Sequence, residues 1–157
     1  MPLLDGLEVV RSAIHGYGLV ARRAFARGET IIVGDGVLWR DGEEFDDEYA
    51  LVLDEIDGMP GAVYPLYYDL ADQTRWINHS CAPNAQVDAA WVPDLGRARA
   101  WWRALRDIAP GEEITYDYAF SGHLAVPCTC GAATCRGLIV DPDELHLVPE
   151  RYRRLLR

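Results

Sequence analysis

The stretch Arg75-Trp76-Ile77-Asn78-His79-Ser80-Cys81-Ala82-Pro83-Asn84 is the most informative part of this chain of 157 residues. Two more blocks follow it: Gly111-Glu112-Glu113-Ile114-Thr115-Tyr116-Asp117-Tyr118, and a loop with the pattern Cys128-x-Cys130-x4-Cys135. These blocks contain a histidine two residues before a cysteine, a pair of tyrosines and a cysteine-rich loop. Such side chains often bind metals or take part in catalysis. The order and the spacing of these three blocks decide the fold and the function that we expect.

Length and composition indicate a single domain. The chain has 157 residues, of which 50% are hydrophobic, enough for one domain with a core and too few for two. No run approaches the roughly 18 apolar residues of a membrane span. The N-terminus carries Asp5 where a secretion signal would be basic and then apolar. We therefore expect a soluble intracellular protein, cytoplasmic or, in a eukaryote, nuclear, with no membrane partner.

The charge of the chain favours a basic partner. The formal net charge is −10 at pH 7, which argues against direct nucleic-acid binding. The same charge favours long-range attraction of a basic protein, an attraction that weakens with salt. The segment from Asp41 to Asp57 carries nine acids and no base. It has two interpretations, a solvated and partly helical face or a block that recruits a basic substrate.

The four cysteines indicate a metal site or catalysis before disulfides, because we expect an intracellular protein. Cys128, Cys130 and Cys135 lie in one short loop that is too tight and too glycine-rich for a core strand. A closed zinc site takes four ligands, so three cysteines from one loop lack a fourth, and Cys81 is the only cysteine left. Free buried thiols with a loop disulfide are the alternative. A zinc hydrolase is disfavoured, because four thiolates leave no position for water.

The three blocks, in this order and with this spacing, resemble the SET-domain protein lysine methyltransferases that carry a post-SET zinc-binding element. The segment Gly16-Tyr17-Gly18 matches the Gly-x-Gly turn of that family, so the resemblance runs from about residue 7 to residue 139. It implies a mostly β, β-clip-like SET fold with short strands, few short helices and a pseudoknot in which the Asn78 and Tyr118 segments cross. The implied organisation is a SET domain over residues 1–121 with an insert at about 40–70, a post-SET zinc loop at 122–140 and a helical tail at 141–157.

The resemblance implies methyl transfer from S-adenosylmethionine to a lysine of a basic protein. Free lysine has a pKa of about 10.4, so a neutral amine at pH 7 costs on the order of 4–5 kcal/mol. An aromatic channel lowers that cost, since desolvation disfavours the ammonium. By resemblance, Tyr118 is the catalytic tyrosine, Tyr116 limits the product mainly to monomethyl-lysine, and Tyr49 is the channel tyrosine of the insert. These rings could otherwise only fill a core.

The resemblance also implies ligand-binding residues and a runner-up function. Zinc would be held by Cys81, Cys128, Cys130 and Cys135. Residues that would contact S-adenosylmethionine are Gly16, Tyr17 and Gly18 at its methionine end, Asn78 and His79 at its amino group and adenine, Arg75 and Trp76 by backbone and packing, and Leu138 and Ile139 over the adenine. The alternative function is a non-catalytic SET-like zinc module that binds a basic peptide.

Local patterns predict several elements and one departure from the family. Strands are expected at residues 7–11, 19–21 and 30–33, a hairpin at 87–92 and 98–105 around a turn at 93–96, and helix starts at Asp141-Pro142 and Pro149. One departure from the family is Val33-Gly34-Asp35-Gly36, where many members have an aromatic residue. One wall of the lysine channel is therefore missing, or is supplied by Tyr67 or Tyr68.

Overall fold

The computed structural model describes residues 4–157, which form small sheets of short strands. The strands are β1 (Leu7–Arg11), β2 (Tyr17–Ala21), β3 (Thr30–Gly34), β4 (Gly36–Arg40), β5 (Ala50–Leu53), β6 (Leu66–Leu70), β7 (Asn78–His79), β8 (Ala85–Val92), β9 (Arg97–Ala104), β10 (Glu113–Tyr116), β11 (Val126–Pro127) and β12 (Leu138–Ile139). Short 3-10 segments cover Gln73–Trp76, Pro93–Leu95, Gly122–Leu124 and Pro142–Leu147, and helix α1 covers Glu150–Arg153. The expected mostly β fold is confirmed. Within residues 4–157, no helix is long and apolar enough to cross a membrane.

The sheet ordered β1-β2-β10-β7 joins two of the sequence blocks. Strand β10 pairs antiparallel with β2 and parallel with β7, so that Thr115 lies opposite Asn78 and Tyr116 opposite His79. The Asn84 side chain continues this edge: its Oδ1 accepts the Thr115 N–H at 2.9 Å, and its Nδ2 donates to a β10 carbonyl at 2.8 Å. The Asn78 segment and the strand that leads to Tyr118 are therefore neighbours in one sheet.

The predicted hairpin is confirmed as β8 and β9, paired without interruption from Ala85–Ala104 to Val92–Arg97. Gly96 closes its turn with a left-handed φ of 60°. Side chains of β9 alternate with the period of two that a strand imposes. Its buried residues are Ala98, Ala100, Trp102 and Ala104. Strand β3 pairs with the other edge of β9, and the buried core includes Trp102 and side chains of β2, β3, β6 and β10.

The expectation of a partly helical segment at residues 41–57 is wrong. The regular structure there is strand β5, which pairs with β6. The apolar run Ala50–Leu53 is too short for a stable helix, and it alternates between buried Leu51 and exposed Val52, as a strand does. The residues from Asp41 to Glu48 form turns and irregular structure.

Strand β4 was not expected from the sequence, because Gly36 opens it. A Cβ at Gly36 would lie 2.4 Å from the Asp69 carbonyl oxygen and 2.9 Å from the Tyr68 ring. Glycine is needed there because β4 lies against β6 more closely than a side chain permits.

The loop that carries Cys128, Cys130 and Cys135, called the thiol loop below, shares a second small core with the C-terminal residues. Its fully buried members are Leu138, Val140 and Val148, with Ala125 almost as buried, and leucines of the tail pack against them. Gly137 has a φ of 81°, and a Cβ there would lie 1.8 Å from the Leu155 carbonyl oxygen. The expected helix starts are confirmed, since a 3-10 segment begins at Pro142 and α1 follows Pro149.

Candidate functional site

The end of β10 and the residues after it place two tyrosine rings side by side. The centroids of Tyr116 and Tyr118 are 4.8 Å apart, and Trp102 lies edge-on to Tyr116 at 5.8 Å. Burial raises the pKa of Tyr116 well above its ordinary value. Burial, with Tyr49 as a further contributor, raises the pKa of Tyr118 to about 12. Both phenols are therefore neutral at pH 7. Tyr116 belongs to the buried core, and the partly buried Tyr118 packs against that core.

Tyr118 is held at both ends by the block around β7. Its hydroxyl donates to the Ile77 carbonyl oxygen at 2.9 Å, and its backbone N–H donates to His79 Nδ1 at 3.1 Å. The hydroxyl proton is thus committed to the backbone. The lone pairs of the phenol oxygen remain free to accept a hydrogen bond from an incoming amine.

A second aromatic group joins three distant segments beside the first. The Trp76 ring lies 5.6 Å from Tyr49, the residue before β5, and 5.6 Å from Tyr17 of β2. The Arg75 guanidinium carbon lies 4.2 Å from the centroid of the Tyr49 ring, within the range of a cation–π contact. Among residues 4–157, Arg75 makes no ion pair with a carboxylate. It can therefore receive the carboxylate of a ligand.

Asn78 fastens the N-terminal turn to β7. Its Nδ2 lies 2.8 Å from the Tyr17 carbonyl oxygen, 3.1 Å from that of His15 and 2.8 Å from Glu113 Oε1. Ser12 also donates to the Glu113 carboxylate, at 2.8 Å. Sequence reasoning missed Glu113, although two adjacent acids after a glycine turn were a signal. Within the described chain Asn78 Oδ1 accepts no hydrogen bond, so it can accept one from a ligand ammonium.

These groups fit the chemistry of S-adenosylmethionine, which has a carboxylate, an ammonium and a flat adenine. The Tyr17 ring is 42% exposed beside Trp76, which provides an apolar surface. Gly16 has a left-handed φ of 49°, and nothing lies within 4 Å of the position of a Cβ. Ile139 is half-buried, whereas Leu138 is fully buried in the second core. Of the two residues expected over the adenine, only Ile139 keeps exposed surface for that role.

Four side chains converge where the thiol loop meets β7. One ligand atom from each of His79, Cys81, Cys128 and Cys130 lies within 4.8 Å of all the others. The sulfurs of Cys81 and Cys128 are 3.8 Å apart. Two thiolates about 2.3 Å from a tetrahedral zinc ion are separated by about 3.8 Å, so the donor set fits zinc. All four cysteines are free thiols in this structure.

Cys135 is the predicted ligand that does not belong to this group. Its sulfur accepts the Gly137 N–H at 3.4 Å, and its thiol is a hydrogen-bonding neighbour of Cys128 and Cys130. Cys81 and Cys130 each accept a backbone N–H as well, at 3.4 and 3.5 Å. Burial opposes ionisation of Cys130, but hydrogen bonds from the Cys81 and Ala132 backbone and from the other thiols lower its pKa to about 7.

The hydrogen bonds of His79 decide which of its nitrogens can face a metal. Burial lowers the pKa of His79 to about 4, so the imidazole is neutral at pH 7. Because Nδ1 accepts the Tyr118 N–H, the single ring proton belongs on Nε2, which lies 3.3 Å from Cys81 Sγ. A protonated Nε2 donates to a thiolate and cannot bind a metal. This arrangement favours Cys135 over His79 as the fourth ligand.

Comparison with known proteins adds a family relationship to this geometry. The sequence model of the family described as the SET domain matches residues 16–119. The chain is 35% identical over 145 residues to human Histone-lysine N-methyltransferase 2B. It is 38% identical over 146 residues to a Histone-lysine N-methyltransferase, H3 lysine-4 specific, of Cryptococcus neoformans. These matches cover 84% and 83% of this chain but only 5% and 9% of those proteins, so the chain spans a small part of their length.

Solved structures show the same architecture. KRYPTONITE in complex with mCHH DNA, an H3(1-15) peptide and SAH has a TM-score of 0.68 and 27% identity, over 85% of this chain and 29% of that one. Arabidopsis thaliana SUVH6 in complex with SAM has a TM-score of 0.70 and 23% identity, over 85% of this chain and 33% of that one. The second likeness concerns the fold alone.

Proposed function

Because the chain belongs to the SET-domain family, we propose that it is an S-adenosylmethionine-dependent protein lysine N-methyltransferase with one structural zinc ion. The observation that carries the proposal is the position of Tyr118. Its ring lies 4.8 Å from Tyr116, and its hydroxyl is hydrogen-bonded to Ile77, next to the Asn78 and Trp76 side chains that fit the cofactor. A methyl donor and a desolvated amine can meet at such a point.

Different residues would bind different parts of the cofactor. S-adenosylmethionine would supply the methyl group, and its charged methionine end would bind between Arg75 and Asn78. Arg75 is suited to the carboxylate because it lacks a carboxylate partner within the described chain. Asn78 Oδ1 is suited to the ammonium, since Nδ2 is committed to the N-terminal turn. Tyr17 and Ile139 offer partly exposed apolar surface for the adenine.

The two tyrosines would favour the neutral form of the substrate lysine. The lysine ammonium must release a proton to water before its nitrogen can form the new bond to the methyl carbon, and an apolar channel favours the neutral amine. The Tyr118 oxygen accepts a hydrogen bond from the amine. This hydrogen bond directs the lone pair of the amine nitrogen along the channel. The Tyr116 hydroxyl takes up space at the buried end, where a second methyl would lie. We therefore expect mainly monomethyl-lysine as the product.

The zinc ion would be bound by Cys81, Cys128, Cys130 and Cys135. The separation of 3.8 Å between two of the sulfurs supports a tetrahedral site, and the proton on His79 Nε2 favours four thiolates. The ion would fasten the thiol loop to the block around β7. Loss of zinc should therefore weaken both folding and cofactor binding.

The substrate class that we propose is a basic protein with an exposed lysine. The segment 41–57 contributes nine acids, and the chain has a net charge of −10. Relatives are named as histone-lysine methyltransferases, and KRYPTONITE was solved with an H3(1-15) peptide. A lysine-rich, histone-like tail agrees with both observations.

Transfer of labelled methyl groups to a basic peptide tests the activity. The matched control is the same peptide with arginine in place of each lysine. The chain itself has fifteen arginines and no lysine, so modification of its own side chains contributes no lysine background. Label in the lysine peptide alone supports the proposal. Equal label in both peptides, or none in either, would overturn it.

One observation favours the runner-up, a zinc module that binds a basic peptide without turnover. The wall at Gly34 has no aromatic residue, and a Cβ there would already lie 2.8 Å from Thr74 Oγ1. Tyr68 is 1% exposed and donates to the Ala98 carbonyl oxygen, and the Tyr67 ring lies 5.5 Å from Phe45. Phe120, 5.6 Å from Tyr118, is the available substitute. Peptide binding measured by fluorescence anisotropy, without methyl transfer, would identify this module.

A further inference from the structure

The thiol loop contacts the tyrosine segment through one arginine. Arg136 lies between Cys135 and Gly137, and its backbone N–H donates to Cys81 Sγ at 3.4 Å. Its guanidinium Nη2 lies 2.8 Å from both carboxylate oxygens of Asp117. These side chains are only 17% and 24% exposed, so solvent screens their attraction less than that of a surface pair. The same residue thus contacts a proposed metal ligand and the segment that carries the tyrosines.

Asp117 controls the backbone around Tyr118. It lies between Tyr116 and Tyr118, and its Oδ1 accepts the Ala119 N–H at 3.0 Å. Ala119 has a φ of 45°, so this hydrogen bond holds the sharp turn that follows Tyr118. Fixing that turn fixes the direction in which the Tyr118 ring leaves the backbone.

A second connection runs from the same sulfur to the same segment. His79 Nε2 lies 3.3 Å from Cys81 Sγ, and His79 Nδ1 accepts the Tyr118 N–H at 3.1 Å. Contacts therefore form a closed ring from Cys81 through His79 to Tyr118, and back through Asp117 and Arg136. A change in the position of Cys81 therefore affects Tyr118 through His79 and also through Arg136 and Asp117.

We propose that Arg136 and Asp117 are positioning residues that hold the Tyr118 hydroxyl in its working place only while a metal ion closes the thiol loop. The inference rests on the proposed methyltransferase function. Without the ion, the loop that carries Arg136 keeps N–H···S contacts with Cys81, from Arg136 to Cys81 Sγ at 3.4 Å and from Cys81 to Cys130 Sγ at 3.5 Å. The backbone that orients the ion pair is then held less firmly. The Tyr118 turn is then free to relax from its left-handed conformation.

The hairpin offers a matched control pair. Arg103 Nη2 and Asp88 Oδ2 are 2.6 Å apart on the outer face of β8 and β9, with side chains 44% and 33% exposed. This pair has the same chemistry and a similar length, and it touches neither the thiols nor the tyrosines. Its removal measures what losing an ion pair does to the protein in general.

The test compares Asp117→Asn, Arg136→Gln and their double variant with Asp88→Asn and Arg103→Gln. We expect each of the first two substitutions to lower kcat about 10-fold, as the loss of an outer partner of a metal site does. The double variant should lose no more than either single one, because both changes break one contact. The KM for the cofactor, the zinc content and both hairpin variants should stay close to the parent.

Three outcomes would overturn the proposal. An unchanged kcat in Asp117→Asn would show that the ion pair does not position Tyr118. Zinc content that falls in step with kcat would show that the pair only supports the loop. Additive losses in the double variant would show that the two residues act separately.

A readout without turnover separates this proposal from the proposed function. The coupling between Asp117→Asn and Arg136→Gln is measured by thermal unfolding of the full chain, once with zinc and once with a chelator. We expect coupling with zinc that disappears without it. Equal coupling in both conditions would overturn the metal dependence even in an active enzyme. Zinc-dependent coupling in a protein that transfers no methyl group would leave the linkage standing and reject the enzyme.

Discussion

The residue with the least ordinary backbone conformation near the site is Ala119. Its φ of 45° lies in the left-handed region, where a Cβ costs about 1–2 kcal/mol. It is the one non-glycine residue with positive φ in the described part of the chain. Asp117, itself held by Arg136, caps its N–H. The fold thus holds a strained turn directly after its proposed catalytic residue.

We expect Ala119→Gly to raise the free energy of unfolding by about 0.5–1 kcal/mol, since glycine removes the steric cost but adds chain entropy. The control is Ala90→Gly in β8, where glycine should lower it by about 0.5–1 kcal/mol. Chemical denaturation measures both. A loss of stability in both variants would show that the turn at residue 119 is not strained.

Tyr118→Phe should lower kcat by about 100-fold, since the hydroxyl is proposed to act on the amine. The dissociation constant of the cofactor, measured by calorimetry, should hardly change. Tyr152→Phe in the tail is the control, because Tyr152 packs on the second core and the tyrosine pair packs in the main core. If Tyr118→Phe turns over like the parent, the chemistry belongs to another group.

Tyr116→Phe should shift the product from monomethyl- toward di- and trimethyl-lysine with little loss of overall rate. Removing the hydroxyl opens space at the buried end of the channel, where an added methyl group would lie. Mass spectrometry of a methylated peptide measures the product distribution. Trimethyl-lysine from the parent enzyme would show that Tyr116 does not limit the product.

At the scale of elements, the sequence predicted those strands whose pattern is local. Strand β9 alternates between buried and more exposed residues, and a Pro-Asp-Leu-Gly turn joins it to β8, so local residues determine this hairpin. Strands β4 and β5 depend on pairing with β6, which no local pattern reveals. The family blocks located the tyrosines and thiols. The Asp117–Arg136 ion pair escaped prediction, because it depends on how the thiol loop folds back onto β10.

The thiol loop gives a prediction that distinguishes Cys135 from His79. Cys81→Ser and Cys135→Ser should each lose the zinc ion, because each removes a proposed ligand. His79→Gln should keep one zinc per chain at saturating zinc while affinity falls about 10-fold, as expected for an outer partner. Elemental analysis gives the stoichiometry. Zinc retained by Cys135→Ser and lost by His79→Gln would make His79 the ligand.

At the scale of the whole molecule, charge and position of the acids determine encounter with the substrate. The net charge is −10, and nine acids lie between Asp41 and Asp57. The structure places the first part of that segment in turns and irregular structure, with Tyr49 of the aromatic group at its end. Attraction of a basic chain would therefore be strongest beside the proposed channel.

We expect the KM for a basic peptide to rise about 10-fold between about 0.1 and about 1 M salt, as the Debye length falls from about 10 to about 3 Å. The KM for the cofactor should change much less. Neutralising Glu43, Glu44, Asp46 and Asp47 together should remove most of the salt effect. Neutralising Asp141, Asp143 and Glu150 in the tail is the control. The first set removes four charges and the second removes three, so an equal effect per charge in both sets would assign the attraction to net charge alone.

Strand β10 lies between β2 and β7, although it follows both in the chain. Neither of those strands can complete its hydrogen bonding until β10 has inserted between them. Folding must therefore bring distant segments together, at a cost in chain entropy, before their contacts contribute favourable free energy. Chains with many such non-local pairings fold slowly for their size. During synthesis, β2 and β7 are made before β10, the strand that lies between them and ends at Tyr116. The position of the two tyrosines therefore depends on a strand that is synthesised after both of its neighbours.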